Sequence, residues 1–417
     1  MPAVAAPTAS GLEEVTVTAR RREEQIQEVP LAITALTGEA LEKAGVQGVE
    51  DLRFRAPALQ VSPSPFGSAV PGYTIRGQRQ LESIITQDPS VGIYVDEVVQ
   101  QRPHGTNQGF FDIQSVQVLK GPQGTLFGRS TTGGAVLIKS NTPELGAAKG
   151  ELGVSVGNYN AVTTDAMANI PAGPDLAFRI AGQFTHHDGY TDNITTGKEQ
   201  DDDNTRAIRL SMLANITDAL QNTLILSTFH SDNNGTAFKL TRVNPNLGAG
   251  AIGRLLGPTL NTLNGEDFHT VAGNYVGLED VDTSDVANTT TYDFSGMTLK
   301  NILGYRYVDS DVAFDYDGAP ANYFQSRNFL RSYQFSDELQ LLGKAFDDSV
   351  DWITGLYYFN EFGRDTQNSL LAGTRANDGK AENTSKSVFA HATWHLPWLD
   401  KKLSFTAGAR YTEDERE

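Results

Sequence analysis

The chain has 417 residues, and its 51 acidic against 33 basic side chains give a net charge of −18. This acidic excess argues against nucleic acid as a partner, because affinity for nucleic acid comes mainly from Lys and Arg. The chain contains no cysteine, which excludes a disulfide framework, a thiolate zinc site and a cysteine nucleophile. No run of about 18 apolar residues occurs, so the sequence predicts no transmembrane helix.

The first 24 residues are predicted to form a tail. Ala3-Val4-Ala5 resembles the end of a cleaved signal sequence, so Met1 is expected to be an addition to a mature-type chain. Residues 13–19 form an alternating β-branched segment, which the charge cluster 20–24 follows. Taken alone, such a segment is more typical of a solvated tail than of a site. An extended strand can, however, add to the edge of a partner's sheet through main-chain hydrogen bonds.

Short helices and strands are predicted after the tail. Thr37 is a suitable N-cap for a helix from Gly38 to Ala44, which Gly45 ends. A second short helix spans Val49–Arg55 and stops before a proline. Strands are predicted at Leu59–Val61, Tyr73–Gly77 and Ser90–Asp96.

The stretch from Ile113 to Ile138 carries the most specific pattern in the chain. It reads as a β-branched strand, a Gly-Pro turn, a glycine-punctuated segment and a second apolar strand after a Gly-Gly pair. On its glycines alone, an irregular hairpin is an equally good interpretation. The order of its residues resembles the plug-domain signature of TonB-dependent outer-membrane transporters. Ile-Arg-Gly and Val-Tyr-Val-Asp segments recur upstream in the family's order. The matching positions are Arg76, Gly77, Asp96, Lys120, Gly121, Pro122, Gly128, Arg129, Gly133 and Gly134.

The resemblance changes the interpretation of the N-terminal segment. Ahead of a plug domain, this β-prone stretch resembles the TonB box, the strand that the family presents to TonB. The residues concerned are Glu14, Val15, Thr16, Val17 and Thr18. The composition shifts near residues 141–143, so we predict a tail with the box at 1–24 and a plug domain at 25–145.

Residues 146–417 show long strands in which apolar and polar side chains alternate. On one of them, Phe178 and Ile180 share a face, while Arg179 and Ala181 share the other. Alternation alone fits a soluble β-sandwich as well as a membrane barrel. Connection lengths favour the barrel, because short turns on one rim and long loops on the other are typical of outer-membrane proteins. The long loops are predicted at Asp188–Asn204, Asn233–Asn288, Phe314–Arg327 and Gly363–Asn383.

The predicted fold is therefore an α+β plug domain followed by an antiparallel transmembrane β-barrel. About eleven strands are expected in residues 146–417, and plugged barrels have about 22. The sequence thus predicts an incomplete barrel, roughly the first half of one.

Few residues suggest catalysis or metal binding. No Gly-x-Ser-x-Gly motif or Ser/His/Asp set stands out, so no catalytic residue is expected. The histidines lack the spacing of metal ligands. Asp309, Asp311, Asp315 and Asp317 suggest calcium at first sight, but they lack the glycine and the terminal glutamate of an EF-hand loop. We therefore predict neither a metal site nor a cofactor.

By resemblance, the expected function is TonB-dependent uptake of a scarce solute across the outer membrane of a Gram-negative bacterium. A ferric siderophore is the commonest solute in the family, while cobalamin, a glycan and another metal chelate stay open. The resemblance implies TonB with ExbB and ExbD as partners, and outer-membrane lipid with lipopolysaccharide as surroundings. The plug and the box would be reached from the periplasm. A passive porin would need neither plug nor box, and a soluble β-sandwich binding module is the alternative of a different class.

Solute contacts are expected on plug loops that face outward. The candidates are Ser64, Phe66, Tyr73, Gln78, Arg79, Arg102 and His104. For Arg76 and Arg129, buried pairing with barrel carboxylates is favoured over solute contact. The barrel interpretation also predicts that Ile180→Arg is costly in lipid, whereas Ala181→Arg, facing the lumen, is mild.

Overall fold

The computed structural model describes residues 16–22, 24–64, 67–79, 84–107, 110–244, 251–371, 374–396 and 403–417. Glu14 and Val15 of the predicted box and Phe66 of the predicted solute contacts lie outside these described residues. The described chain forms a small N-terminal domain and one large antiparallel sheet.

The N-terminal domain is built on a five-stranded sheet with the order β3-β8-β9-β6-β7. Two hairpins accompany it, β1 with β2 and β4 with β5. Its strands are β1 (Thr16–Val17), β2 (Glu24–Gln25), β3 (Ile33–Thr37), β4 (Leu59–Ser64), β5 (Gly67–Ile75), β6 (Val91–Val95), β7 (Val98–Val99), β8 (Ile113–Lys120) and β9 (Gly134–Ser140).

The helices of this domain are short. Helix α1 spans Gly38–Lys43, and the hydroxyl of Thr37 accepts a hydrogen bond from the Ala40 N–H at 3.2 Å, as the N-cap prediction requires. Gly45 follows the helix with a φ of +66°, the left-handed conformation that glycine adopts without strain. A 3₁₀ helix spans Val49–Phe54, and α2 is a single turn at Gly124–Phe127. The helix predictions in this region are close to the observed elements.

The β8–β9 pair forms the centre of the domain because both strands carry β-branched side chains on the buried face. Val116 and Val118 of β8 pack with Val136 and Ile138 of β9 in one apolar cluster. Gly134 begins β9 with a φ of +148°, and a Cβ atom there would lie 2.2 Å from the Leu119 carbonyl oxygen. Only glycine permits this close approach of the two strands.

The large sheet has eleven strands joined in chain order. They are β10 (Lys149–Val156), β11 (Val162–Pro171), β12 (Leu176–His187), β15 (Asp203–Thr217), β16 (Leu220–Asn233), β18 (Leu278–Phe294), β19 (Met297–Asp315), β20 (Phe324–Ala345), β21 (Val350–Leu371), β22 (Thr374–His395) and β23 (Ser404–Arg416). Between them, β13 (Thr191–Asn193), β14 (Lys198–Gln200) and β17 (Thr270–Val271) form a small separate sheet, and helix α3 spans Ala251–Leu263.

Alternation gives the large sheet two different faces. On β12, Ala177, Arg179 and Ala181 are buried, whereas Phe178 and Ile180 are 42% and 45% exposed. The buried face packs against the N-terminal domain, and the exposed apolar face points away from it. A β-sandwich would cover the first face with a second sheet, so this arrangement excludes the sandwich alternative.

The connections alternate between short and long, but three of the predicted loops were too long. Strand β18 begins at Leu278, so the last eleven residues of the predicted Asn233–Asn288 loop are strand. The strands that flank residues 363–383 continue to Leu371 and resume at Thr374, so most of the predicted Gly363–Asn383 loop is strand. The predicted Phe314–Arg327 loop shrinks to residues 316–323. The segment 363–383 is polar and contains three Gly and three Asn, yet its two halves pair with each other across β21 and β22, and such context overrides strand propensity.

Within the described ranges, no helix is long and apolar enough to cross a membrane.

Candidate functional site: the N-terminal strand and the plug contacts

The described part of the predicted TonB box lies folded against the domain. Strand β1 pairs with β2, so that Thr16 faces Gln25 and Val17 faces Glu24. Val17 is fully buried in an apolar cluster. The Thr18 N–H donates to Oε1 of Gln117 at 2.9 Å, and the Gln117 amide donates to the Thr18 hydroxyl at 3.2 Å. Residues 16–18 are therefore held by the chain's own strand and by β8.

The arginines after this strand are not a solvated face, because Arg20 and Arg21 are 4% and 6% exposed. Arg20 donates to the Glu24 carboxylate at 2.5 and 2.7 Å, which closes the turn of the hairpin. Arg21 donates to Glu338 of β20 at 3.0 Å. Its guanidinium also lies 4.6 Å from the ring centroid of Phe127. These contacts fasten the N-terminal segment to both the plug and the large sheet.

Charge pairing compensates for the burial of Arg21. Burial by itself lowers the pKa of Arg21, but the carboxylates of Glu338 and Glu97 raise it above its ordinary value. Burial raises the pKa of Glu97, and the charges of Lys300 and Arg21 lower it below its ordinary value. Burial raises the pKa of Tyr94 beside them to about 12. Arg21 and Glu97 therefore stay charged at neutral pH.

The predicted plug motif lies at the turns that shape the β8–β9 hairpin. Gly121 and Gly128 have φ values of +109° and +76°. The Gly121 N–H donates to the Gly133 carbonyl at 3.0 Å, and the Lys120 N–H donates to the Ala32 carbonyl at 2.9 Å. A Cβ atom on Gly133 would lie 2.8 Å from that of Gln78. Pro122 lies in the same turn, between β8 and α2.

Three further motif residues lie in turns of the plug backbone. Asp96 follows β6 with a φ of +48°, and its carboxylate accepts from the Ser140 N–H at 2.8 Å and from the Ser140 hydroxyl at 2.9 Å. It thereby ties the end of β6 to the end of β9. Arg76 and Gly77 have φ values of +51° and +79° in the turn after β5.

Arg76 and Arg129 were both predicted to pair with barrel carboxylates, and they lie in different surroundings. Arg129 lies 4.0 Å from Asp414 of β23 and 4.7 Å above the ring of Phe359. Arg76 is exposed, and it forms no ion pair with any carboxylate in the described part of the chain, so its pairing with a barrel carboxylate stays a prediction. The buried carboxylate Glu338 is occupied by Arg21 instead.

Other buried ion pairs join the plug to the large sheet. Arg102 binds Glu361 of β21 through two bonds of 2.7 and 2.8 Å, and the two side chains are 2% and 0% exposed. In a second pair the sheet supplies the arginine and the plug the carboxylate: Arg179 of β12 donates to Asp112 of the plug at 2.5 and 2.8 Å. Removing one partner of such a pair leaves an uncompensated buried charge, which costs about 3–5 kcal/mol. These pairs fix the plug in one position.

The predicted solute contacts lie in several environments. Tyr73 is buried and donates to the Thr106 hydroxyl at 3.2 Å, and His104 is also buried. Arg102 also donates to the carbonyls of Ile84 and Gln87, so all its contacts are within the protein. Gln78 is exposed, Arg79 is partly buried, and Ser64 lies at the end of β4. Contact of these residues with a solute stays a prediction.

His104 is embedded among positive charges. Burial, together with the charges of Arg102 and Arg306, lowers the pKa of His104 to about 3. The guanidinium of Arg306 also donates to the His104 carbonyl and to Asp285. His104 is therefore neutral at physiological pH.

Glu279 of β18 holds the start of plug strand β5 at the end of the sheet that carries the long loops. Its carboxylate accepts from the Ala69 N–H at 3.0 Å and from the hydroxyls of Ser68 and Ser231 at 3.1 and 2.8 Å. A Cβ atom on Gly67 would lie 1.6 Å from the Glu279 carboxylate. The contact requires glycine at that position, a requirement that the sequence pattern does not reveal.

A cavity of about 750 Å³ separates the plug from strands β10–β15. Acidic side chains from both walls line it, among them Glu50 and Asp51 of the plug and Asp165 and Asp203 of the sheet. A second cavity, of about 840 Å³, lies at the rim with the short turns, between the β1–β2 hairpin and Lys344. The plug thus fills the inner face of the sheet incompletely.

The arrangement defines a class of protein: a plug domain inside the curved sheet of a membrane-barrel wall, with eleven strands forming roughly half of a barrel. The family model for the TonB-dependent receptor plug domain matches residues 25–135. Residues 25–135 are therefore a TonB-dependent receptor plug domain, and the chain as a whole shares its fold with solved uptake receptors.

Relatives of known name support this assignment. Residues of the chain are 31% identical over 147 positions to pesticin receptors of Yersinia enterocolitica and Yersinia pestis, a match that covers 34% of this chain and 21% of theirs. Among solved structures, the ferric yersiniabactin uptake receptor FyuA of Yersinia pestis has a TM-score of 0.74 at 18% identity, over 93% of this chain and 61% of that one. The ferric-catecholate import receptor Fiu of E. coli K12, in its open form, has a TM-score of 0.73 at 14% identity, with 94% and 61% coverage. The chain therefore spans about three fifths of these structural neighbours.

Proposed function

We propose that this chain is the plug-bearing portion of a receptor that takes up a ferric siderophore across the outer membrane by TonB-dependent transport. Its role is transport rather than catalysis. The names of its relatives support iron as the cargo, since they include a ferric yersiniabactin uptake receptor and a ferric-catecholate import receptor. Cobalamin, a glycan and another metal chelate are the alternative solutes.

One observation carries the proposal: the plug joins two opposite ends of the sheet. At the end with the long loops, Glu279 holds residues 67–69. At the rim with the short turns, the β1–β2 hairpin lies beside Thr393 and Asp351. A change in the outer plug loops can therefore reach the N-terminal strand through one folded domain. A passive porin would have no such connection.

The partner at the inner rim is TonB, with ExbB and ExbD behind it, and the outer wall contacts lipid and lipopolysaccharide. TonB would pair with residues 14–18 as an added strand, which main-chain hydrogen bonds allow with little demand on sequence. Residues 16 and 17 already pair with β2, so the hairpin has to open before TonB can replace it. Outer plug loops carrying Ser64, Phe66, Gln78 and Arg79 would contact the solute.

The test separates binding from uptake in the native host under iron limitation. Val17→Pro removes a main-chain donor from the box strand, so we expect radio-iron siderophore binding to persist while energised uptake falls to the level of a strain without TonB. The control is Lys43→Ala, an exposed residue of α1 whose side chain is 74% exposed, which should leave both unchanged. Full uptake by the Val17→Pro variant would contradict the assignment of the box. A deletion strain could also grow normally on every ferric siderophore supplied but poorly on cobalamin or a glycan. That result would show that the cargo is the cobalamin or glycan and not iron.

A further inference from the structure

The turn of the β1–β2 hairpin is attached to the large sheet at the rim with the short turns. Arg22 lies 3.3 Å from Oδ2 of Asp351 in β21, and Arg20 donates to the Thr393 hydroxyl of β22 at 2.8 Å. Asp351 and Thr393 lie directly opposite each other in the register of these two strands. Two arginines of the turn therefore reach adjacent positions on the wall.

Asp351 is the centre of this attachment, because groups from two neighbouring strands also converge on its carboxylate. Nε2 of His395 in β22 lies 2.8 Å from Oδ2, the oxygen that faces Arg22, and Lys344 of β20 lies 3.9 Å from Oδ1. An ionised carboxylate only accepts hydrogen bonds, so His395 donates through Nε2. In the neutral ring, Nδ1 then accepts from the Ser404 hydroxyl of β23 at 2.8 Å. His395 is thus fixed from both sides and orients the carboxylate toward the hairpin.

The contact with Asp351 is more open to water than the neighbouring contact of the same turn. The Arg22 and Asp351 side chains are 20% and 18% exposed, whereas those of Arg21 and Glu338 are 4% and 6% exposed. Arg22 and Asp351 also line the cavity of about 840 Å³ at this rim. The hairpin turn cannot leave the wall while either contact is intact, and the contact with Asp351 is the one that can be reached from the rim.

The attachment matters for residues 16–18, which lie just before the turn. In the closed hairpin Val17 is fully buried and pairs with Glu24. A second protein can pair with this strand only after the hairpin has opened. The apparent affinity of such a partner is reduced in proportion to the fraction of molecules that are open.

We propose that Asp351 is a positioning residue for the predicted TonB box. Together with His395 it forms an ionic clasp on Arg22, which keeps the hairpin shut and limits how often TonB can reach residues 16–18. This inference rests on the proposed function, because it takes TonB as the partner of the strand. The closed hairpin itself and its attachment to β21 do not depend on that choice.

Trypsin tests the clasp without TonB or a solute. It cleaves after arginine, and residues 20–22 are three consecutive arginines. Arg20 and Arg21 are only 4% and 6% exposed, so cleavage requires an open hairpin. When opening is fast relative to cleavage, the cleavage rate follows the population of the open form.

Asp351→Asn removes the charge that faces Arg22 and keeps the size of the side chain. In the purified protein in detergent, we expect cleavage after residues 20–22, followed by intact mass, to accelerate about tenfold, since hydrogen bonds to charged groups have effects of this order.

Two matched variants are the controls. Asp348→Asn makes the same charge change at an exposed position of the adjacent turn. Lys344→Gln removes the exposed wall partner of Asp351 but leaves Arg22 and His395 in place. Neither should change the cleavage rate by more than about twofold, because exposed charges contribute little. All three variants should melt at the wild-type temperature, so faster cleavage confined to Asp351→Asn reports release of the hairpin and not loss of the fold.

A second measurement concerns the partner. The soluble periplasmic part of TonB should bind solute-free Asp351→Asn about tenfold more tightly than the solute-free wild type, because a larger fraction of the variant is open. Lys344→Gln should bind TonB like the wild type.

The outcomes separate the clasp from the proposed function. Unchanged cleavage in Asp351→Asn, or an equal acceleration in Asp348→Asn, would overturn the clasp. Faster cleavage with unchanged TonB affinity would overturn its control of the box. If TonB binds neither the wild type nor any variant, the proposed function is refuted, and the cleavage rates still decide whether Asp351 holds the hairpin.

Discussion

The buried pair between Arg102 and Glu361 allows a quantitative test of what holds the plug. Glu361→Gln removes the charge while keeping the size of the side chain, and it leaves Arg102 buried at 2% exposure without its counter-ion. Breaking such a pair costs about 3–5 kcal/mol. Since about 1.4 kcal/mol is a factor of ten, the plug should open at least about 100-fold more often.

Hydrogen exchange of the β8 and β9 amides measures this opening, because exchange of protected amides reports the free energy of local or sub-global unfolding. The control is Asp378→Asn, which breaks the pair between Arg364 and Asp378. That pair has similar bond lengths of 2.6 and 2.8 Å, and Arg364 lies on the same strand as Glu361, but the two side chains are 58% and 51% exposed. We expect no measurable change there, because exposed ion pairs contribute little.

The double variant Arg102→Met/Glu361→Met completes the test. Removing both charges leaves no uncompensated ion, so most of the lost protection should return. If Glu361→Gln exchanges its plug amides like the Asp378→Asn control, the buried pair does not hold the plug, and the reasoning is refuted.

Three further predictions concern single positions. Ile180→Arg places a charge on the exposed apolar face and should lower the free energy of unfolding by about 2–4 kcal/mol if it lies near the membrane midplane. Urea titration in lipid vesicles measures this loss. As a control, Gln183 lines the cavity beside the plug, so Gln183→Arg should cost much less. Gly134→Ala should destabilise the plug by about 2 kcal/mol or more, because its Cβ atom would meet the Leu119 carbonyl oxygen at 2.2 Å; an unchanged melting temperature would contradict this. His104 binds its proton only below about pH 3 when folded but below about pH 6.5 when unfolded, so stability should fall by about 2 kcal/mol on going to pH 5. In His104→Gln this component of the pH dependence should vanish, and an unchanged slope would contradict the buried neutral imidazole.

The structure also corrects one expectation about the sheet. Ala181→Arg was expected to be mild because Ala181 faces the inside, but its side chain is 2% exposed and packs with Ala69, Val70 and Phe111 of the plug. A large side chain there would displace the plug. Strand alternation predicts the face on which a side chain lies. What packs against that face depends on another domain, which the strand's own sequence does not reveal.

Local rules in the sequence predicted the local structure well. The Thr37 cap, the glycines of the β8–β9 turn and the strand alternation follow from capping, left-handed φ values and the two-residue period of strands. Each of these depends on neighbours in the chain.

Pairings across long sequence distances could not be predicted. Arg21 and Glu338 are 317 positions apart, and Arg102 and Glu361 are 259 apart. The side chains alone do not indicate which carboxylate meets which guanidinium. The same holds for Asp351, which meets Arg22 of the N-terminal hairpin.

The place of β3 in the plug sheet has a mechanical consequence. A force applied at Thr16 first loads the β1–β2 hairpin, whose two residue pairs separate in succession. The load then reaches β3, which lies at the edge of the plug sheet and, among the described residues, pairs with β8 alone, over five residues. Peeling an edge strand breaks its hydrogen bonds in sequence instead of all together. Traction from the inner rim would therefore unravel the plug from one side, while β8, β9 and β6 stay paired.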